Sequence, residues 1–104
     1  MLPRKRIATH PGEILRQEFL VPLNISVNAL ELLLHVLATR MHMIVHGKRA
    51  ITADTALRLA RVFNTTPEFW TTLQAAHDLS KAQASTGKQI AAQIKKPIVR
   101  NVSA

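Results

Sequence analysis

The stretch SVNALELLLHVLATRMHMIVHG, residues 26–47, decides the fold. Its first part predicts a helix from Ser26, a good N-terminal cap, to about Leu34. Its second part predicts a helix from about Ala38 to His46, followed by Gly47, where a left-handed residue ends helices well. Only a few residues connect the two helices. This spacing is typical of a helix-turn-helix, whose second helix enters the major groove of DNA.

The second of these helices has two distinct faces. At about 100° per residue, four of its apolar side chains fall within one arc and are expected to face the core: Leu37, Met41, Ile44 and Val45. The opposite face is polar, small at its N-terminal end and cationic, and Arg40 can bind a guanine through two hydrogen bonds. We therefore predict base contacts from the outward and flanking positions: Thr39, Arg40, His42 and Met43.

A basic loop follows this helix and suits the DNA backbone. Lys48 and Arg49 come directly after Gly47, and two cations together with free backbone amides can hold a phosphate. A solvated basic turn is the alternative for these two cations. With the N-terminal ends of the two helices included, the predicted phosphate contacts are Ser26, Asn28, His46, Lys48 and Arg49.

Three more helices are predicted outside this motif. The first runs from Pro11 to the Pro22–Asn24 stretch, the fourth from Thr52 to Asn64, and the fifth from Thr66 to Leu79 or beyond. Apolar spacing predicts the side chains that the helices bury. They are Ile14, Leu15 and Phe19 in the first helix; Ala29, Leu30, Leu33 and Leu34 in the second; Ala56, Leu57, Ala60 and Phe63 in the fourth; and Phe69, Trp70, Leu73, Ala76 and His77 in the fifth.

The chain is predicted to be an all-α protein with one domain. Its 104 residues contain no internal repeat and no long linker, and they show almost no alternation of apolar and polar residues. Residues 1–9 form a basic N-terminal arm and residues 10–80 the five-helix domain. Residues 81–104, with five cations and no acid, form a basic tail that is expected to be partly helical or disordered.

Composition favours an acidic partner and excludes several classes of protein. Fourteen Lys and Arg against six Asp and Glu give a formal net charge of +8, which attracts phosphate-rich partners. The chain has no cysteine, so it has no disulfide framework and suits a reducing cytosol. No apolar stretch reaches the ~20 residues of a membrane span, and no signal-peptide core opens the chain. We expect a cytoplasmic protein without a membrane partner.

His42 and His46, four residues apart, raise the question of a metal site. Such a pair can bind zinc. However, Met43 stands where a metalloprotease needs the glutamate of HExxH, and a third ligand such as His35 or His77 would need favourable geometry. The acids are scattered singly, and the chain has neither a glycine-rich phosphate loop nor a GxSxG elbow. We predict no metal, no cofactor and no enzymatic activity.

Two stretches on either side of the recognition helix resemble a known family. HPGEILRQEFLVPLNIS, residues 10–26, and GKRAITADTALRLARVFNTTPEFWTTLQAAHDL, residues 47–79, are similar to antitoxins of the HigA and VapI type, within the lambda-repressor-like (Xre) helix-turn-helix group. The resemblance implies a homodimer that binds double-stranded DNA and represses its own operon. It also implies that the protein neutralises a small RNA-cleaving toxin of the HigB/RelE-like kind. Such a dimer needs a palindromic operator with half-sites about one helical turn apart, roughly 34 Å.

Three positions depart from this family pattern. Glu31 stands where the family usually has a small residue, His35 replaces the glycine of the turn, and Leu37 replaces a Pro or Ser that would open the recognition helix. A non-glycine residue at a left-handed turn costs on the order of 1 kcal/mol. A buried carboxylate needs a partner, for which Arg40 and Arg49 are the candidates. Two alternatives stay open: a toxin-binding module with weakened DNA binding, and a stand-alone Xre-family regulator without a toxin.

The fifth helix is the expected dimer interface. It offers more apolar area than one small core needs. We predict that this helix and the start of the tail form the interface, with Phe69, Trp70, Leu73 and Leu79. A base-stacking role is disfavoured for Phe69 and Trp70, because they lie on the stripe that buries this helix.

Overall fold

The computed structural model describes residues 6–99, which form helices without any strand. Helix α1, Pro11–Leu15, continues through a π-helical turn, Arg16–Leu20, into the short helix α2, Val21–Leu23. The helix-turn-helix consists of α3, Val27–Leu34, and α4, Arg40–Val45. Helices α5, Ala53–Phe63, and α6, Pro67–Gln93, complete the domain. The predicted all-α fold is confirmed, with α1, the π turn and α2 together forming the predicted first helix.

The helix ends follow the predicted local chemistry. The hydroxyl groups of Ser26, Thr52 and Thr66 each accept a backbone N–H from the first turn of α3, α5 and α6. Asn24 and Asn64 end α2 and α5 in the left-handed region, with φ of 55° and 56°. Because each cap satisfies a backbone group that the helix leaves free, it fixes the residue at which the helix starts or stops.

Pro22 lies inside the first helical segment rather than ending it. Proline has no N–H for the carbonyl of Glu18, four residues earlier, and its ring crowds that carbonyl. The helix is wider just before it, where the N–H of Val21 donates to the carbonyl of Arg16, five residues back. The segment ends two residues later, at Asn24.

One hydrophobic core joins the helices. Its buried apolar side chains are Leu15, Leu20, Leu30, Leu34, Met41, Ile44, Val45, Ile51, Ala56, Leu59 and Trp70. The ring centroids of Trp70 and Phe19 lie 5.2 Å apart, and Phe63 lies 5.0 Å from Phe19. The indole N–H of Trp70 donates to the hydroxyl of Thr65 at 2.8 Å. The first helical segment, α5 and α6 therefore meet at one aromatic centre.

Some predicted buried faces are rotated relative to the core. Five side chains that were expected inside are exposed: Ala29, Leu33, Leu57, Phe69 and Ala76. Leu57, at 61% exposure, shows the reason, because it lies about 100° from Ala56 and about 160° from Leu59 on the face that meets the core. Leu59 completes that face instead. Apolar spacing locates a stripe, but packing against the other helices decides its borders.

Helices α1 and α4 approach each other closely at Gly12. A side-chain carbon built on Gly12 would lie 1.8 Å from the carbonyl oxygen of Ile44. His10 caps α1 at the same place, since its Nδ1 accepts the N–H of Gly12 at 2.8 Å. The buried side of α4 is thus held against the body of the domain.

The described part of the N-terminal arm lies against α6. The N–H of Ala8 donates to the hydroxyl of Ser80 at 2.8 Å, and its carbonyl accepts from Nδ1 of His77 at 2.8 Å. Helix α6 carries the tail on to Gln93, after which residues 94–99 are irregular. The rest of the predicted arm and tail, residues 1–5 and 100–104, lies outside the described residues. Within residues 6–99, no helix is both long and apolar enough to cross a membrane.

Candidate nucleic-acid interface

The recognition helix α4 begins later than the sequence predicts. The expected start was near Ala38, but α4 begins at Arg40, and Thr39 precedes it with a φ of 81°. The Thr39 side chain makes no capping hydrogen bond, and neither Leu37 nor Ala38 has a side-chain acceptor. With nothing local to open a helix at position 37 or 38, the chain stays non-helical until Arg40.

The buried face of α4 matches the prediction except at Leu37. Met41, Ile44 and Val45 are buried, whereas Leu37 is 79% exposed. Leu37 precedes the helix and therefore does not share its periodicity. On the other side, Met43 is 41% exposed. The helix keeps an exposed surface opposite its packed one, as a helix that enters a DNA groove must.

Arg40 takes part in an ionic network at the start of α4 and α5. Its Nη1 lies 3.4 Å from Oδ2 of Asp54, which also accepts from Nε of Arg58 at 2.9 Å. The hydrogen bond from Arg58 holds the pKa of the Asp54 carboxyl below its usual value. Arg58 also donates to the carbonyl of Leu34 at 2.9 Å. One carboxylate therefore joins Arg40 to the arginine that satisfies the end of α3.

The predicted base-reading and phosphate-binding side chains are partly bound to each other. Nε2 of His42 lies 2.8 Å from the Oδ1 of Asn28, which links α4 to the first turn of α3. Nδ1 of His46 donates to the carbonyl of His42 at 2.7 Å, one turn earlier. The Ser26 hydroxyl accepts the N–H of Ala29 at 3.0 Å.

In the described part of the chain, no three His, Asp or Glu side chains lie together in a metal-binding arrangement.

The basic loop after α4 starts with the predicted glycine. Gly47 has a φ of 73°, its N–H donates to Ile44 at 3.0 Å, and the N–H of Lys48 donates to Met43 at 2.8 Å. These two bonds close a Schellman motif. The expectation that free amides here hold a phosphate is therefore wrong for Gly47 and Lys48, whose N–H groups are used. The side chains of Lys48 and Arg49 are exposed.

The same loop is anchored to α6 by a buried glutamine. Oε1 of Gln74 accepts the N–H of Ile51 at 2.8 Å, and its Nε2 donates to Asp78 at 2.9 Å. His10 lies beside the loop, where burial first, and then the charge of the nearby His77, lower its pKa. The two cations of the loop are thus presented from a fixed backbone.

Glu31 finds a partner that the sequence did not indicate. It is only 6% exposed, and its Oε2 accepts the N–H of Met41 at 3.1 Å. The expected partners Arg40 and Arg49 are therefore wrong, because a backbone amide of α4 satisfies the carboxylate. His35 adopts the left-handed conformation of the turn, with φ of 57°, where the resemblance leads one to expect glycine.

The surface next to α4 carries exposed apolar side chains. Leu32, Leu33 and Leu37 are exposed, at the end of α3 and in the turn. Leu33 also borders an open groove with Leu57, Arg61 and other side chains of α5. A surface of this kind suits protein contact as well as contact with thymine methyl groups.

The predicted dimer interface needs one correction. Trp70 is completely buried within the single chain, because its ring fills the aromatic centre of the core, so it has no surface to offer a second copy. Leu73 is partly buried, and Phe69 and Leu79 are exposed. At about 100° per residue, the exposed Ile90 lies on the same face of α6 as Leu79.

Two residues that organise this site were missed in the sequence. Arg58 had a local signal, since Asp54 and Arg58 are four residues apart on a predicted helix, a spacing at which opposite charges pair. Gln74 had no such signal, because its partner Ile51 is 23 residues away. A contact of that length depends on the packing of α6 against the loop.

The chain is similar in sequence to known proteins and in fold to solved structures. No protein-family model matches it. Virulence-associated protein I of Dichelobacter nodosus is 50% identical over 76 residues, which are 73% of this chain and 70% of that protein. A structure of the Pseudomonas aeruginosa antitoxin HigA with the higBA promoter is 46% identical, with a TM-score of 0.84 over 88% of this chain and 99% of that one. A structure of the antitoxin GraA in complex with its operator is 36% identical, with a TM-score of 0.87 over 95% of this chain and 100% of that one.

Proposed function

The chain belongs to the HigA antitoxin family of lambda-repressor-like helix-turn-helix proteins, and from this premise we propose that it is a DNA-binding repressor of its own operon and the antitoxin of a HigB/RelE-like toxin. One observation carries the DNA-binding part. Helix α4 packs Met41, Ile44 and Val45 into the core and leaves an opposite surface exposed, followed directly by the basic loop. Several relatives are named as helix-turn-helix transcriptional regulators or HigA antitoxins, and we assign no catalytic activity.

We propose that different side chains of this surface contact the bases and the phosphates of the DNA. Base contacts come from Arg40 and Met43, with Thr39 at the start of the helix. The long 3.4 Å contact between Arg40 and Asp54 is weak enough for the guanidinium to exchange it for a guanine edge. Arg58 then keeps Asp54 paired, at 2.9 Å, so Arg40 leaves no isolated carboxylate behind.

Phosphate contacts come from the cations of the loop. Lys48 and Arg49 are exposed, and the anchored loop limits the backbone freedom lost on binding. His46, exposed at the end of α4, lies beside this cationic surface. The hydrogen bond between His42 and Asn28 links the recognition helix to α3. Ser26 and Asn28, at the start of α3, are placed to contact the phosphates of the DNA backbone.

The protein acts as a homodimer on a palindromic operator in the cytoplasm. The exposed Phe69 and Leu79 supply apolar surface of α6 for the second copy, and the partly buried Leu73 lies next to Phe69 on this helix. The family implies the toxin as protein partner. Half-sites about one helical turn apart, roughly 34 Å, fit two recognition helices on one side of the duplex.

Binding to DNA from the chain's own operon tests this function. The full-length protein is titrated onto a labelled duplex that contains the palindrome upstream of its gene, and onto a shuffled duplex of equal length. We expect the palindrome to bind on the order of 10³-fold more tightly or better. Equal affinity for both duplexes would contradict the repressor function.

A toxin-binding module with weakened DNA affinity is the second candidate. The exposed Leu32, Leu33 and Leu37 favour it, because such apolar surface is unusual on a face that only reads DNA. Repeating the titration with the product of the adjacent toxin gene separates the two functions. Tight toxin binding together with no preference for the palindrome would identify this second function.

A further inference from the structure

The carboxylate of Glu31 occupies the place of a missing helix cap. The first residues of a helix have backbone N–H groups without partners, which a cap side chain normally satisfies. In α4 the N-terminal cap position is Thr39, whose side chain makes no such bond. The N–H of Met41, the second residue of the helix, is instead bound by Oε2 of Glu31 at 3.1 Å.

This cap comes from another helix and is buried. Glu31 lies in α3, ten residues before Met41, and is 6% exposed. Among the described residues, no cation forms an ion pair with it. Its negative charge lies at the positive end of α4, where a carboxylate is favoured. The interaction therefore satisfies both the buried carboxylate and the buried amide.

Glu31 also takes part in the turn between the two helices. Its carbonyl accepts the N–H of Val36 at 3.2 Å, on the far side of the left-handed His35. The backbone of Glu31 thus ends α3, and its side chain starts α4. One residue therefore makes hydrogen bonds on both sides of the turn.

We propose that Glu31 is a positioning residue for DNA recognition, which replaces the lost local cap and makes the recognition helix begin at Arg40. Residues 37–39 then remain outside the helix, and Arg40 and Met43 hold the helical positions that face the groove. The effect on DNA rests on the proposed function, whereas the capping itself does not require DNA.

Hydrogen exchange of single amides tests the capping. The variants are E31M, which removes the acceptor at similar size, E31Q, which keeps an acceptor, and E31D, which keeps the charge but is one methylene shorter. The control is E18Q, because the side chain of Glu18 is exposed and forms no hydrogen bond within residues 6–99. Exchange is measured by NMR at a temperature at which circular dichroism shows every variant folded.

The proposal predicts a local effect. In E31M and E31D, the Met41 amide exchanges at least about tenfold faster, while amides in the middle of α5 keep their wild-type rates. In E31Q the Met41 rate stays within about threefold of wild type, and E18Q changes nothing. Equal acceleration in α4 and α5, or an unchanged Met41 rate in E31M, would overturn the capping role.

DNA affinity of the same variants tests the positioning. We expect the ratio of palindrome to shuffled-duplex affinity to fall at least about fivefold in E31M and E31D, to recover in E31Q, and to stay at the wild-type value in E18Q. An unchanged ratio in E31M together with faster Met41 exchange would refute positioning and leave a purely structural cap. If the wild type shows no sequence preference, the proposed function fails, and the exchange rates still decide the capping.

Discussion

At the scale of single residues, the interface depends on side chains that satisfy particular backbone groups. Glu31 binds the Met41 amide, His10 the Gly12 amide and Gln74 the Ile51 amide. Each contact is short and at least partly shielded from water. Removing one of them leaves a donor without a partner, which costs about 1–3 kcal/mol when the donor is buried.

Gly12 is the position with the least room for a larger side chain. We expect Gly12→Ala to lower the free energy of unfolding by about 2 kcal/mol or more, because the new carbon would overlap the Ile44 carbonyl. The control is Gly87→Ala in α6, where the added carbon would lie 3.7 Å from the Cβ of Gln83, an ordinary van der Waals contact. That change should raise stability by about 0.5–1 kcal/mol. Urea unfolding measures both, and equal effects of the two changes would contradict the close crossing of α1 and α4.

His10 makes stability depend on pH. Burial and the nearby His77 lower its pKa from 6.5, so the unfolded chain binds the proton more tightly than the folded one. Stability is therefore full above pH 6.5 and decreases as the pH falls from there toward the lowered pKa. Protonation of Nδ1 also removes the acceptor for Gly12.

His10→Asn should reduce this pH dependence, because asparagine can cap the helix but does not titrate. Urea unfolding of wild type and variant is compared at pH 7.5 and pH 5.5. We expect the wild type to lose more stability than His10→Asn over this interval. An identical loss in both proteins would contradict this role, because it would show that His10 has the same pKa in the folded and unfolded states.

At the scale of elements, the recognition helix and its loop are positioned by α3, α5 and α6. The cap from α3, the Asp54–Arg58 pair of α5 and Gln74 of α6 all act on the segment between Leu34 and Ile51. The loop that carries Lys48 and Arg49 thus depends on α6, which carries the proposed dimer face.

Gln74→Ala should loosen the loop without removing a charge. We expect the free energy of unfolding to fall by about 1–3 kcal/mol, because the Ile51 amide loses its buried acceptor. Affinity should fall on palindromic and shuffled DNA alike if the loop contacts phosphates as proposed. Gln89→Ala, on the exposed end of α6, is the control, and DNA titration below the melting temperature measures the effect. A loss confined to the palindrome would contradict a phosphate role for the loop.

The sequence correctly predicted the helix ends that depend on local chemistry. Ser26, Thr52, Thr66, Asn24 and Asn64 were identified correctly because each acts on backbone within a few residues. The start of α4 was predicted wrongly because its cap lies ten residues earlier in another helix. Leu57 was placed wrongly because the borders of a buried face depend on packing between helices, which periodicity does not contain. Trp70 was correctly placed on the buried stripe, but the core leaves none of its surface for the dimer interface.

At the scale of the whole molecule, α6 extends well past the core and carries exposed apolar residues. Leu79 and Ile90 lie on one face, whereas Ser85 lies about 120° or more away from both. A charge placed on the first face should prevent the second copy from packing there.

Leu79→Glu combined with Ile90→Glu should therefore give a monomer. Ser85→Glu, an exposed position away from that face, should leave the dimer intact. Sedimentation at micromolar concentration measures the mass, and binding to half-site and full palindromes measures cooperativity. A dimeric double variant would contradict the α6 interface.

In the proposed function, the exposed side of α4 reads base pairs while the following loop holds phosphates. Arg40→Ala, Lys48→Ala and the control Arg61→Ala, an exposed arginine of α5, each remove one positive charge. The direct measurement is the affinity of each variant for palindromic and shuffled duplexes across a salt series.

We predict that Arg40→Ala weakens palindrome binding by about 1–3 kcal/mol and barely changes shuffled-duplex binding. Lys48→Ala should weaken both alike and reduce the salt dependence by about one phosphate contact. Equal losses on both duplexes for Arg40→Ala would contradict base reading by the exposed side of α4.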